Sequence, residues 1–434
     1  MAGWSLFRGG IHGPSGTSPC NGAVQDAVKS RAFARPETLV PLFLIGAFVA
    51  WGCSDLLTTE PGQGERFDQP IDGLDNGELG DFQDGQIQFR RAFTIAEGLG
   101  PIFNNVSCAS CHSGDGRGVP DNILTRFSRS TDLALDLGGP QIQDKAIPGA
   151  HPETLPTGVL VSRRLPPPVF GVGLIEAIPE SAIVAGEDPN DANGDGISGR
   201  VNWVTPPPYV AADEIGGGTA PRVGRFGRKA QVTSLLQQTV DAYHQDIGIT
   251  SSYRSVDNDN PLAPAVTGTD PAPDPEVGDG QVNDVMQYMR MLAPPLPGNR
   301  TASRDRGEAL FTQVRCASCH TPTFHTGPHD IETLSNRDVH IYSDFLLHDL
   351  GEELADHRPD GSADGSEWRT APLWGMRITR DFLKGELFLL HDGRAHSVYA
   401  AIQLHGGEAA TVRDAFLALP PADQSALIDF VESR

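Results

Sequence analysis

Apolar positions fall into one continuous run and a set of helical-period segments. The run covers residues 39–51, is broken by Pro41 and Gly46, and follows Lys29, Arg31 and Arg35. It is shorter than a bilayer-spanning helix but has the size and basic approach of a signal h-region. Residues 1–52 are therefore expected to be an export leader, with a buried core helix as the competing reading. Ala50, Trp51, Gly52 and Cys53 resemble a lipobox, in which Cys53 becomes a lipidated N-terminus; Ala50 and Gly52 also suit ordinary cleavage. Further along, Val282, Val285, Met286 and Met289 fall on one helical face and Pro294-Pro295 end the run. Leu427, Phe430 and Val431 share a face after Pro420-Pro421. Amphipathic segments at residues 89–96 and 304–311 complete the set. The spacing predicts helices at all four places.

Composition narrows the class. The chain has 434 residues with a formal charge of −23, and 38% of it is hydrophobic, enough for ordinary cores. Its 49 Gly and 35 Pro predict long loops between few regular elements. So acidic a surface repels nucleic acid and anionic lipid, so no nucleic-acid partner is expected. Contact with a membrane would come only through lipid on Cys53.

Cysteine spacing is the sharpest signal. Cys20 and Cys53 belong to the leader and its exit. The other four form Cys108-Ala-Ser-Cys111-His112 and Cys316-Ala-Ser-Cys319-His320, two identical C-x-x-C-H pentapeptides. Two cysteines at this spacing reach the two vinyl groups of haem, and the next His meets the iron from the proximal side. A thioredoxin-type motif would need a βαβ pattern, which is missing. A zinc site would be more compact than two pairs roughly 200 residues apart. A disulfide framework would not place His after each pair. Two covalently bound c-type haems are the reading, with His112 and His320 as proximal ligands.

Each motif follows an amphipathic segment and is followed, after loops, by a closing helix. The fold expected is mainly α, with two cytochrome c-like domains, the first carrying a long loop-rich insertion. The divisions are a leader at 1–52, a flexible linker at 53–69, an N-terminal haem domain at 70–298 and a C-terminal haem domain at 299–434. In the insertion, Asp191, Asn193 and Asp195 stand at positions 1, 3 and 5 of a calcium-type loop with Gly196 at the turn, although Asn202 replaces the Glu expected at position 12. Calcium and a metal-free turn both remain open there. Sixth ligands for the two irons would come from His391, His405, His244 or Met376.

The chain also resembles the bacterial di-haem oxidoreductase family of peroxidases, relatives of di-haem cytochrome c peroxidases and of the methylamine-utilisation di-haem enzyme. The resemblance is carried by residues 100–112, 224–231, 246–250, 367–375, 390–395 and 404–409 together with the second haem motif, and it covers roughly residues 70–434. It implies an oxidoreductase in which a C-terminal haem passes electrons to a reactive N-terminal haem, and the leader puts it in the periplasm. Relatives close the C-terminal iron with Met or Tyr, and the matching stretch here offers His405 as its sixth ligand, with Arg369, His391 and Arg394 along that haem and its propionates; His244 is the candidate displaceable ligand of the N-terminal iron. The donor would be an electron-transfer protein or quinone-linked cytochrome, and the acceptor peroxide. Two positions depart from the family pattern: Arg228 stands where Trp is frequent and Ile247 where Met is. No acid–base carboxylate is identified. A di-haem electron-transfer cytochrome with both irons six-coordinate is the alternative, and a high-spin ferric signal separates the two.

Overall fold

The computed structural model describes residues 64–112, 114, 116, 118–264 and 270–434. The expected leader, Cys20, Cys53 and the start of the linker lie outside them. Helix α1 (Asn76–Arg90) starts where Asp75 accepts the N–H groups of Gly77 and Glu78 while Glu78 reaches back to the Asp75 N–H, a reciprocal cap. The single turn α2 (Cys108–Cys111) is opened by Ser107, whose hydroxyl accepts the Ser110 N–H. Helices α3 (Val172–Glu176) and α4 (Glu180–Val184) are short. Ser234 caps α5 (Leu235–Ala242), which runs into a π-turn, Tyr243–Ile247, ended by Gly248 at φ 72°. Then come α6 (Asp279–Met291), α7 (Ala302–Gln313), α8 (Met376–Phe382), α9 (Val398–Gln403), α10 (Ala410–Leu417) and α11 (Pro421–Glu432). Proline fits the first turn of α11 because an N–H there has no helical acceptor.

The strands β1 (Ile102–Phe103), β2 (Leu124–Ser128), β3 (Lys145–Ala146), β4 (Leu160–Arg164), β5 (Trp203–Val204), β6 (Arg222–Val223), β7 (Phe324–His325), β8 (Asp338–Val339), β9 (Leu347–Asp349) and β10 (Glu367–Arg369) are all brief. They form antiparallel two-stranded ladders: β1–β3, β2–β4, β5–β6, β7–β8 and β9–β10. The fold is helix-dominated with several small sheets, as the abundance of Gly and Pro predicts. Three expected helices are present, at α6, α7 and α11. The fourth is corrected: residues 89–96 are not a helix, since α1 ends at Arg90, Arg91 is extended, and only the turn Ile95–Glu97 follows. The true helix is made of residues 76–90, whose three glycines hide its amphipathic period.

Two helix crossings repeat one design. Helix α1 packs on α6, and a methyl group on Gly85 would come within 2.1 Å of the Asp284 carbonyl oxygen and 2.7 Å of Tyr288 Cβ. Helix α7 packs on α11, and a methyl on Gly307 would come within 2.1 Å of the Ala426 oxygen and 2.6 Å of Phe430 Cβ. Only glycine permits backbones so close. One turn after each glycine stands a phenylalanine on the same face. Phe89 meets Tyr288 at 5.3 Å and His112 at 6.2 Å; Phe311 meets Phe430 at 5.5 Å and His320 at 6.3 Å.

The smaller apolar core draws only on residues 310–431. The larger core runs from Phe67 through α6 and also takes in Ile331, Ile341, Phe345, Leu346, Trp374 and Ile378 from beyond residue 298. Residues Pro61–Arg434 form one compact unit. Among the described residues no helix is long and apolar enough to cross a membrane.

Candidate functional site

One cavity of about 410 Å³ is lined by both pentapeptides, with Cys108, Cys111 and His112 in its wall together with Cys316, Cys319 and His320. On the first motif, α2 presents the cysteines and leaves His112 just past its last turn. Burial pushes the His112 imidazole down to about 4, so the ring is neutral at pH 7. The ring is enclosed, with the Pro167 backbone as its hydrogen-bonding neighbour. Neutral imidazole is the form that binds iron.

The second motif is built alike. His320 donates from Nδ1 to the Tyr342 carbonyl at 2.9 Å, which fixes the tautomer and leaves Nε2 as lone-pair donor. Burial lowers His320 to about 4 as well, and the charge of His405 acts on it in the same direction. His405 lines the cavity and donates from Nδ1 to the Ala401 carbonyl at 2.7 Å, so its Nε2 is likewise available. Burial pushes the thiols up, Cys111 to about 11 and Cys316 to about 12, so both stay protonated at pH 7. Buried neutral histidines and protonated thiols on one cavity wall fit two haems, which His112, His320 and His405 would be able to hold.

A polar clamp holds the second motif. His348 bonds Asp344 through Nε2 at 2.8 Å and Glu408 through Nδ1 at 3.0 Å, and lies 3.7 Å from Cys319 Sγ. Burial opposes a charge on His348, but these carboxylates overcome it and raise the imidazole well above its ordinary value. Glu408 also accepts from the Ser198 hydroxyl and N–H. Arg315, the residue before Cys316, pairs with Asp195 at 2.6 Å.

The remaining expected residues divide. Arg369 lines the cavity, donating to the Gly227 and Thr370 carbonyls, and burial lowers it to about 10. His391 also lines it, stacked on Trp368 with ring centres 3.7 Å apart and planes at 6°. Met376 is in the wall too. Arg394 is not: it is 40% exposed, held by Asp392 at 2.7 Å and the Glu353 carbonyl. His244 is not brought in either, because its ring turns to the Val256 carbonyl, 2.9 Å from Nε2, with Arg254 at Nδ1. The Asp191 turn is tied internally. Asp191 accepts the N–H groups of Asp195 and Gly196, Asn193 accepts that of Asp195, and Asp195 is taken by Arg315. Carboxylates converge instead at Asp257, Asp270, Asp274 and Glu276.

The π-turn after α5 places a buried carboxylate in the cavity wall that the sequence reading did not single out. Asp246 lines the cavity and its charge acts on Cys111. Burial pushes its carboxyl up to about 6, and Gln141 Nε2 donates to it at 2.6 Å. Asp241, one turn earlier, also lines the cavity and is raised by burial. The segment 246–250 is part of the family pattern, but nothing in the local sequence shows that Gln141, far away in the chain, closes over Asp246.

A cavity that fits two haems beside a buried carboxylate defines a di-haem redox protein. The family model described as "Di-haem oxidoreductase, putative peroxidase" matches residues 53–133 and 149–434, and the chain belongs to that family. It is accordingly a di-haem, peroxidase-like oxidoreductase. No curated protein matches it. Among solved structures, hydrazine synthase of Kuenenia stuttgartiensis is 13% identical over 93% of this chain and 100% of that one, with a TM-score of 0.37. A MauG-like protein associated with microbial copper homeostasis is 12% identical over 87% and 94%, with a TM-score of 0.38.

Proposed function

We propose that the chain reduces peroxide at the haem of Cys108, Cys111 and His112, using electrons received through the haem of Cys316, Cys319 and His320. The observation that carries this reading is the shared cavity with Asp246 on the Cys111 side. The chemistry the two haems supply when bound is one-electron transfer, from the C-terminal group to a peroxide-reactive N-terminal one. The repeated crossing, with its glycine, phenylalanine and proximal histidine, supports two cytochrome c-like halves.

The residues divide the work. Reduction of H2O2 to two water molecules consumes two electrons and two protons, so a group must carry a proton between the two peroxide oxygens. Asp246, raised toward neutrality by burial, accepts the proton from the bound oxygen and returns it to the departing one. Gln141 fixes its orientation. His320 and His405 would both be available to hold the second haem, an arrangement that would suit electron transfer better than substrate binding. The proposed donor is an electron-transfer protein or quinone-linked cytochrome. Export to the periplasm, with or without lipid on Cys53, belongs to the same proposal, and cell fractionation with fatty-acid labelling checks it. Asp246→Asn should lower peroxide turnover by about 10²–10⁴-fold while both haems stay attached. Unchanged turnover would remove Asp246 from the mechanism.

A further inference from the structure

Beside the cavity lies a buried group of charges that does not balance. Arg164, on β4, is only 5% exposed and lines the cavity. Its Nη1 bonds Asp360 at 2.7 Å and its Nε bonds Ser162, but Nη2 makes no hydrogen bond and reaches Asp356 only at 3.6 Å. Arg358 is fully buried and gives Nη1 to the same Asp360 oxygen, while its Nε and Nη2 have no partner. Lys229, also fully buried, takes Asp356 at 2.8 Å. Arg126, on β2, lines the cavity with a buried, unpartnered Nε, and its side chain has no hydrogen bond or ion pair among the described residues. Three cations, Arg164, Arg358 and Lys229, thus share the two carboxylates Asp356 and Asp360, and Arg126 stands beside them without an ion pair. A buried charge without a counter-charge is strongly destabilising, and so is a buried donor without an acceptor.

We propose that Arg126 and Arg164 form an oxyanion seat in the cavity wall, and that its occupant is the propionate pair of the haem attached at Cys108 and Cys111. The seat rests on the haem reading above. Its chemistry is that of guanidinium for carboxylate, planar donors for planar acceptors, strongest where water is excluded. Three features place it with the first haem. Arg126 acts electrostatically on Asp241 and Asp246, the carboxylates on the first motif's side. Arg164 lies three residues before Pro167, whose backbone touches the His112 ring. Both arginines line the same cavity as Cys108 and Cys111. The propionates of a haem leave the edge opposite its thioethers, so the seat and the cysteines would grip opposite edges of one group.

The test uses the holoprotein and its reductive titration. Arg126→Gln breaks no hydrogen bond or ion pair among the described residues, so the fold should tolerate it; Arg164→Gln is the second variant and Arg126→Lys the rescue. Cationic donors at the propionates favour the reduced iron. Each Gln variant should therefore shift one of the two titration steps toward the oxidised form by roughly tenfold, 59 mV for a one-electron couple, and leave the other step in place. Arg126→Lys should recover most of the shift. Inorganic phosphate added to wild type separates the sources: propionates already in the seat leave both steps indifferent to it. A phosphate response in wild type that Arg126→Gln abolishes would overturn the propionate assignment in favour of a free oxyanion. Unmoved steps in both Gln variants would overturn the seat itself. A pyridine haemochrome count other than two haems per chain would instead defeat the underlying haem reading.

Discussion

Substituting Gly307 by alanine should unseat the helix pair behind the second haem. The new Cβ would lie 2.1 Å from the Ala426 carbonyl oxygen, a backbone atom that cannot rotate aside, whereas real Cβ contacts stay beyond 3.0 Å. Helices α7 and α11 must therefore separate by about 1 Å, a gap that forfeits a quarter to a half of the contact energy across it. The side chains affected are Leu310, Phe311, Leu427 and Phe430, all 3% exposed or less. Taking about 2 kcal/mol for each buried side chain, the loss is about 2–4 kcal/mol. Alanine returns about 1 kcal/mol through its better helix propensity, leaving a net destabilisation of about 1–3 kcal/mol. Gly80 on α1, whose added methyl meets nothing within 4 Å, supplies the control. Gly80→Ala should be neutral or stabilising. Urea unfolding followed by far-ultraviolet circular dichroism reads both, and the Soret band reports whether the Phe311–His320 contact is disturbed. If Gly307→Ala unfolds at the same urea concentration as Gly80→Ala, the close crossing and the packing argument built on it are wrong.

The other expectations concern the second site. His405→Ala should turn one low-spin iron high-spin with both haems still attached, read by EPR; an unchanged spectrum would return His405 to a hydrogen-bonding role. Glu408→Gln should lower stability by about 1–2 kcal/mol, the Glu408 depression to about 2 being discounted for partial solvent screening. Glu408, being depressed, adds stability above pH 4.5 that is lost as pH falls toward 2. His348, being raised, adds stability below pH 6.5 that is lost as pH climbs through its elevated value. The gap between variant and wild type in urea midpoints should thus be widest between about pH 4.5 and 6.5, and a gap constant from pH 3 to 8 would rule out the ion pair.

Features written in contiguous residues were legible from the sequence. The haem motifs, α6, α7 and α11 carry their pattern within a dozen positions, and the structure sets both motifs on one cavity. Helix α1 was missed because Gly77, Gly80 and Gly85 dilute its apolar face, although its Asp75–Glu78 cap is a local sign that was present. What depends on distant partners was hidden. The role of Asp246 needs Gln141, and the unbalanced charge around Asp360 needs arginines from β2, β4 and the loop before β10. Arg394 and His244 lie outside the cavity wall, each with its polar atoms on neighbours, Asp392 in one case and the Val256 carbonyl in the other.

The larger apolar core has a consequence for how the polypeptide is made. Its first members are Phe67 and Ile71, yet it is not complete until Trp374 and Ile378 have been added. A ribosome that has passed residue 298 has produced α1, α2 and α6 around the first motif, but Val285 and Met289 still lack Ile341, Phe345 and Leu346 to close over their core. The first binding cleft therefore stays ajar until most of the second half exists. Splitting the gene at residue 298 would yield an N-terminal fragment with a permanently open flank, prone to aggregate, while the C-terminal fragment would keep its own small core of residues 310–431 intact.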